Sequence, residues 1–288
     1  MRDLNYQVKT ICDRNRDGSF STRDNREHRL QQMCNRLHEL GYRNLKAENL
    51  KPKHVEALVK SWKDEELSAG TIKNRMTDIR WLAEKLDIQH VVHARNDDYG
   101  IERRVYVTNE SKAERLTDDV LGRVTDDCTR FSLRLQKDFG LRREEAIKFQ
   151  PEWADRGDHI TLKGSWTKSG QERDIIIRND EQRALLDELK AFCGNGSLIP
   201  KDMTYVQQLH RFEHQTAQAG LSHTHGLRHA YAQERYKELT GREAPAAGGL
   251  TSKQLTREQK AQDAAARLQI SEEMGHHREN ITATYLGR

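Results

Sequence analysis

Residues 225–229 read His225-Gly226-Leu227-Arg228-His229, and three other segments carry residues as unusual as these. Upstream stand Gly140-Leu141-Arg142-Arg143-Glu144-Glu145 and Thr167-Lys168-Ser169-Gly170. Downstream, Gly275-His276 is followed by Tyr285, nine positions after the histidine. Each segment is trivial alone, since a histidine three positions before an arginine recurs by chance on many helices. An arginine in such a place is ordinarily salt-bridged at the surface, a turn lysine is ordinarily solvated, and a tyrosine near a chain end ordinarily just packs. Their occurrence together and in this order is the informative fact.

Working outward, the 140–149 stretch reads as a helix opened after Gly140, and the pattern Val120, Leu121, Val124, Cys128, Phe131, Leu135 predicts one long helix starting at Thr117-Asp118-Asp119. Residues 159–163 and 173–178 have strand composition around a Gly- and Ser-containing loop, predicting a β-hairpin that carries Lys168. Residues 241–262 are Ala/Gly-rich and then strongly polar, which predicts an extended, partly helical loop. In the first hundred residues apolar positions recur at helical spacing, as Leu30, Met33, Cys34, Leu37, then Val55, Leu58, Val59, Trp62, then Ile72, Met76, Ile79, Ala83, Leu86. Gly41, Pro52 and Ser68-Ala69-Gly70-Thr71 punctuate them as stop and start signals. This predicts a three-helix bundle preceded by roughly two dozen residues outside it. The expected organisation is therefore a helical bundle over residues 1–100, a charged aperiodic linker over 101–114, and a mixed domain over 115–288. The fold class is mainly α with a small β-sheet.

Composition sets looser bounds. The 288 residues comprise 33% charged and 35% hydrophobic side chains, and 49 Lys plus Arg nearly balance 45 Asp plus Glu for a net +4. Charge of that size is compatible with a polyanionic partner and does not prove one. The four cysteines, Cys12, Cys34, Cys128 and Cys193, are scattered without a CxxC pair, so neither a disulfide framework nor a cysteine metal site is indicated. The first residues lack the apolar run of a signal peptide, and no stretch is long and apolar enough to span a membrane, so a cytoplasmic location is expected. Gly194-Asn195-Gly196 lacks the GK[ST] of a nucleotide-phosphate loop, and no cofactor or metal is expected.

The four segments resemble the tyrosine recombinases, the family that includes phage and mobile-element integrases. In that family a helix-opening GLR with an acidic residue three positions after the arginine, a hairpin lysine, an HxLRH segment and a GH with a tyrosine nine residues later occur in this order. The resemblance covers 115–288 through specific motifs. The N-terminal bundle is similar, less specifically, to the family's core-binding domain, and on that reading Lys73, Arg75 and Arg80 are candidate DNA contacts. It implies a site-specific recombinase that cuts and rejoins double-stranded DNA through a 3′-phosphotyrosine, for integration or excision of a mobile element. It also implies a homotetramer on paired sites and DNA-bending accessory proteins as further partners. Arg142 and Arg228 would contact the phosphate, where guanidinium offers a permanent charge and a forked donor set. Glu145 would hold Arg142 in place, Tyr285 would be the nucleophile, His225 would take its proton, His276 would donate to a non-bridging oxygen, and Lys168 would protonate the leaving 5′-oxygen.

Departures are the long interval between Arg228 and Gly275 and the few residues after Tyr285. A rival class, a metal-dependent nuclease or phosphohydrolase, would use His223, His225, His229, His276 and His277 as ligands but leaves Arg142, Lys168 and Tyr285 idle. A catalytically inactive DNA-binding relative is the third reading.

Overall fold

The computed structural model describes residues 2–168, 170–276 and 279–288, the side chains of Glu279 and Asn280 excepted. The chain divides into two compact units, Met1–Val105 and Tyr106–Arg288.

The first unit holds α1 (Asp3–Arg14), α2 (Phe20–Glu39), α3 (Pro52–Asp64) and α4 (Ala69–Lys85). The expected stripes are in its core: Leu30, Met33 and Leu37 of α2, Leu58 and Trp62 of α3, and Ile72, Met76, Ile79 and Ala83 of α4 are nearly free of solvent, joined by Leu82, while Leu86 at the end of α4 is only partly buried. Ser19 and Ser68 cap α2 and α4 by accepting from Thr22 N and Thr71 N, each at 3.2 Å. The residues expected to lie outside the bundle instead form α1, which packs on α2. Leu4 and Val8, one turn apart, are its buried stripe, and Asn5 adds a bond of 2.7 Å to Gln31.

The second unit contains α5 (Asp118–Arg123), α6 (Asp127–Phe139), α7 (Arg143–Ile147), α8 (Pro151–Ala154), β1 (His159–Leu162), β2 (Arg173–Ile176), α9 (Asp180–Cys193), α10 (Tyr205–Gln218), α11 (His225–Thr240), α12 (Arg257–Glu273) and α13 (Glu279–Leu286). The single helix expected from Thr117 to Leu135 is two. Val124 leaves helical geometry, and the Asp126 carboxylate caps a new start by accepting from Thr129 N at 2.8 Å. Residues 241–262 are partly helical as expected: a short 3-10 turn lies at Pro245–Ala247, and α12 starts at Arg257 behind a Thr256–Gln259 capping box. Helix α11 packs against α6, α12 and α13. Arg178, just past β2, reaches it as well, pairing with Glu238 and lying over the Tyr231 ring.

The hairpin is antiparallel, pairing Ile160 with Ile175 and Leu162 with Arg173. Side chains alternate across a strand, so Ile160, Leu162, Ile175 and Arg173 all face the domain interior. One charged residue is thereby carried inward by strand register.

Gly140 closes α6 at φ 62°, and a Cβ there would run into the Tyr231 ring of α11. The turn lets the chain reverse tightly into Arg142. Gly140→Ala is expected to lower unfolding free energy by about 2 kcal/mol or more, from left-handed strain plus the displaced ring. Urea denaturation measures it, and an unchanged midpoint would contradict the account.

Candidate active site

Glu145, fully buried, anchors the site. Its carboxylate accepts from the backbone N and Nη1 of Arg142, both at 2.7 Å, and from Nη1 and Nη2 of Arg173 at 2.8 and 2.7 Å. Arg142 is the N-cap of α7, one residue before its helical dihedrals begin, so the helix expected from Leu141 to Phe149 is shorter than read. Burial alone would raise the Glu145 pKa. The bonds and charge of Arg173, then the charges of Arg142 and Arg228, outweigh it and hold the group down at about 2.

Arg228, one turn into α11, is 1% exposed. Its Nη1 donates to the carbonyl of Gly140 and its Nη2 to that of Met274, the residues capping the ends of α6 and α12. Both sites are the negative ends of helix dipoles, which offset part of the cost of burying the cation. Among the described residues its buried Nε has no hydrogen-bond partner. Burial, followed by the charge of Arg142, lowers its pKa to about 10, so it remains protonated at neutral pH.

His276 follows Gly275, whose φ of 64° turns the chain out of α12. Its Nδ1 lies 3.4 Å from Arg142 Nη2 and its Nε2 lies 3.2 Å from Arg228 Nη2. The imidazole spans the two guanidinium groups. Burial, then the charges of Arg228, Arg142 and Arg173, push its pKa down to about 3, so the ring is neutral and one of its nitrogens accepts.

Tyr285, 5% exposed on α13, is surrounded by histidines. Its hydroxyl is 3.2 Å from His225 Nε2, and its ring centroid lies 4.5 Å from that of His229 and 5.5 Å from that of His276. Burial, then Arg228 and Arg142, push His225 below its usual range, although one edge of that ring is open to water and tempers the effect. Arg142, Glu145, His225, Arg228, His276 and Tyr285 thus converge. Lys168 is exposed on the hairpin loop and does not touch them, but lines the same open cleft of about 500 Å3 as Arg142 and His225. Ser169 and His277 lie outside the described residues.

The sequence motifs do not include Arg173 as a site residue and give His229 no role in the recombinase chemistry. No local motif marks Arg173; the signal was strand alternation, which places it on the Ile175 face. His223 is exposed and lines the same cleft as His225. Among the described residues no three of His, Cys, Asp and Glu gather as metal ligands. In the first unit, Arg80 is engaged with His93 O at 3.0 Å and Asn96 Oδ1 at 2.9 Å. Arg75 lies over Trp62 at 5.1 Å, and Lys73 is half-buried two residues earlier.

A family profile described as phage integrase, N-terminal, matches residues 1–88, and one described as integrase matches 101–234, together most of the chain. The chain belongs to the tyrosine recombinase family. Its activity class is DNA recombination and integration. No curated protein matches the sequence. Among solved structures, a lambda integrase dimer bound to a COC′ core site is similar at TM-score 0.64 and 15% identity, covering 99% of this chain and 78% of that one. The XerH site-specific recombinase in a post-cleavage complex gives TM-score 0.60 at 15% identity, over 99% and 81%. The Tn1549 transposon integrase with transposon right-end DNA gives 0.58 at 15%, over 100% and 95%. At such identities the likeness is one of fold. No helix among the described residues is long and apolar enough to cross a membrane.

The recombinase's histidines make its stability depend on pH. His229 falls to about 4 through burial, then the nearby His225, Lys112 and Arg228, and His276 to about 3, against 6.5 for the unfolded groups. Below 6.5 the unfolded chain therefore binds more protons than the folded one, and stability falls with pH. Glu145 acts in the same direction only lower, as pH falls from 4.5 toward 2. Denaturant midpoints should drop as pH descends from 6.5 toward 4, and His229→Asn should flatten that slope. A pH-independent midpoint through this window would refute it.

Proposed function

We propose that this recombinase cleaves and rejoins double-stranded DNA through a 3′-phosphotyrosine on Tyr285, serving integration or excision of a mobile element. The observation that carries the reading is the Tyr285 hydroxyl at 3.2 Å from His225 Nε2, beside the paired guanidinium groups of Arg142 and Arg228. A phosphodiester repels nucleophiles. The two arginines supply fixed positive charge for the negative charge that accumulates on the non-bridging oxygens. Held by Glu145 and by helix-end carbonyls, they need little reorganisation when the phosphate arrives.

The phenol oxygen attacks phosphorus as His225, neutral because of burial and the adjacent arginines, takes its proton. The bond to the 5′-oxygen breaks, and Lys168 supplies the proton that this oxygen needs. Rejoining reverses each step, with a 5′-hydroxyl attacking phosphorus and tyrosine leaving with the proton from His225. The phosphotyrosine keeps the bond energy, so neither a nucleotide nor a metal is required by this chemistry. A homotetramer on paired sites, DNA-bending partners, and DNA contacts through Lys73 and its neighbours on α4 belong to the same proposal. A lambda integrase tetramer bound to a Holliday junction, TM-score 0.59 at 15% identity, supports the assembly by fold.

Tyr285→Phe is expected to bind duplex DNA from the element's ends yet form no covalent complex, because the ring still packs while the nucleophilic oxygen is gone. Gel separation of adduct with mapping of the attached residue tests it. Adduct at normal yield would reject Tyr285.

Lys168→Ala should cleave ordinary DNA slowly but approach the wild-type rate on DNA whose bridging 5′-oxygen is sulfur, since a thiolate departs without a proton. Equal impairment on both substrates would make the lysine a DNA contact and return the acid's role to the histidines.

A further inference from the structure

The nucleophile helix is fastened by a segment distant in sequence. The Asn109 side-chain amide brackets the backbone of Arg288: Nδ2 donates to Arg288 O at 3.0 Å, and Oδ1 accepts from Arg288 N at 2.9 Å. Ser111 Oγ donates to Gln233 Oε1 at 3.0 Å, and Gln233 Nε2 in turn donates to the carbonyl of Tyr285 itself at 3.0 Å. Gln233 is 7% exposed, so its amide is fully committed to the two partners. Glu114 N then donates to Gly226 O at 3.0 Å, beside His225. The approach there is close, since a Cβ on Gly226 would meet Lys112 O at 2.9 Å. Residues 109–114 thus bind both the start of α11, which presents His225, and the end of α13, which presents Tyr285.

Nothing else in α13 explains so many ties to one short strip. An eight-residue helix has few intrahelical bonds of its own and frays readily unless it is docked. Arg267 Nη1, which donates to Gly287 O at 2.9 Å, gives a second hold from α12, and its guanidinium lies over the Tyr236 ring of α11 at 5.7 Å, but it acts beyond the tyrosine and at the far end of α11 from His225. The strap adds to the direct packing of α11 on α13 by tying both helices, whose separation sets the distance between hydroxyl and imidazole, to one short segment. A rate that depends on near-attack geometry is sensitive to that separation.

We propose that the strap of residues 109–114 is a positioning element for strand cleavage, in which Asn109, Ser111 and Gln233 hold the Tyr285 helix in register with His225. The inference rests on Tyr285 being the nucleophile. The strap residues touch no reacting atom. Their effect lies in the attack step, and DNA affinity and global stability are set elsewhere.

The test is the doubly substituted Asn109→Ala/Ser111→Ala chain, both positions lying on the strap's outer edge, with Ser111→Thr as the conservative control that keeps the hydroxyl. Single-turnover adduct formation is measured at saturating duplex DNA spanning the ends of the element that carries the chain's own coding sequence. DNA affinity and thermal midpoint are measured in parallel. The expected result is a fall of roughly 10- to 100-fold in adduct rate with affinity and midpoint unchanged, and a near-normal rate for Ser111→Thr. A rate within about twofold of wild type overturns the proposal, and so does a loss matched by equal losses in affinity or thermal midpoint. Wild-type protein in the same assay separates the two layers. Absence of a Tyr285 adduct there rejects the nucleophile and the strap together, whereas a normal wild-type adduct with unimpaired variants rejects the strap alone.

Discussion

The Glu145 carboxylate is the constraint on which the second unit's chemistry depends. A fully buried carboxylate is costly unless its lone pairs are all used, and here two arginines and a backbone N–H use them. The cost is recovered as geometry. Arg142 is fixed at the mouth of a helix, Arg173 is drawn inward from β2, and both stand where Gly275 turns the chain toward His276. A Cβ on Gly275 would sit 2.8 Å from Arg173 Cδ, so the glycine is required by the arginine's presence. Removing either arginine would leave the buried carboxylate short of donors, which is why buried networks of this kind tend to be all or nothing.

The same arginines decide the protonation of the histidines. Three guanidinium groups against one buried carboxylate leave a local excess of positive charge, and together with burial it keeps His225 and His276 neutral. A neutral imidazole is what a proton acceptor beside a phenol must be at physiological pH. On the proposed mechanism, the field that would stabilise a phosphorane also favours negative charge developing on the phenol oxygen, while it keeps the imidazole neutral at the expense of its basicity.

Much of this was legible in the sequence, and the reasons for the gaps are local. The bundle's stripes, the hairpin and the order of the four motifs could be read because hydrophobic period and motif spacing are one-dimensional properties. The break between α5 and α6 was hidden by continuous apolar spacing through Val124, and only the capping carboxylate of Asp126 announced it. Helix α1 was missed because its stripe is just Leu4 and Val8 within a strongly charged stretch. Arg173 was invisible for a different reason: its direction depends on pairing with Leu162, and its partner Glu145 lies 28 residues away. Burial of a charge is a property of three dimensions, and composition gives no hint of it.

On the proposed mechanism the site divides into a rigid receptor and a tethered nucleophile, and the two are built differently. Arg142, Arg173 and Arg228 are rooted in the cores of α6, α7, β2 and α12 by charged bonds to buried groups. Tyr285 rides on a short terminal helix held by neutral amide and hydroxyl bonds from residues 109–114 and by Arg267. Charge-assisted bonds to buried partners resist rearrangement more than neutral ones do, and α13 has one buried bond of each kind, from Arg267 to Gly287 O and from Gln233 to Tyr285 O. On the proposed mechanism the reaction attacks, waits as a covalent intermediate and then reverses, so the charges that would bind phosphate must stay fixed through both transfers while the tyrosine moves with phosphorus. The denser set of charged bonds around Arg142, Arg173 and Arg228 and the mixed set around α13 fit those two demands.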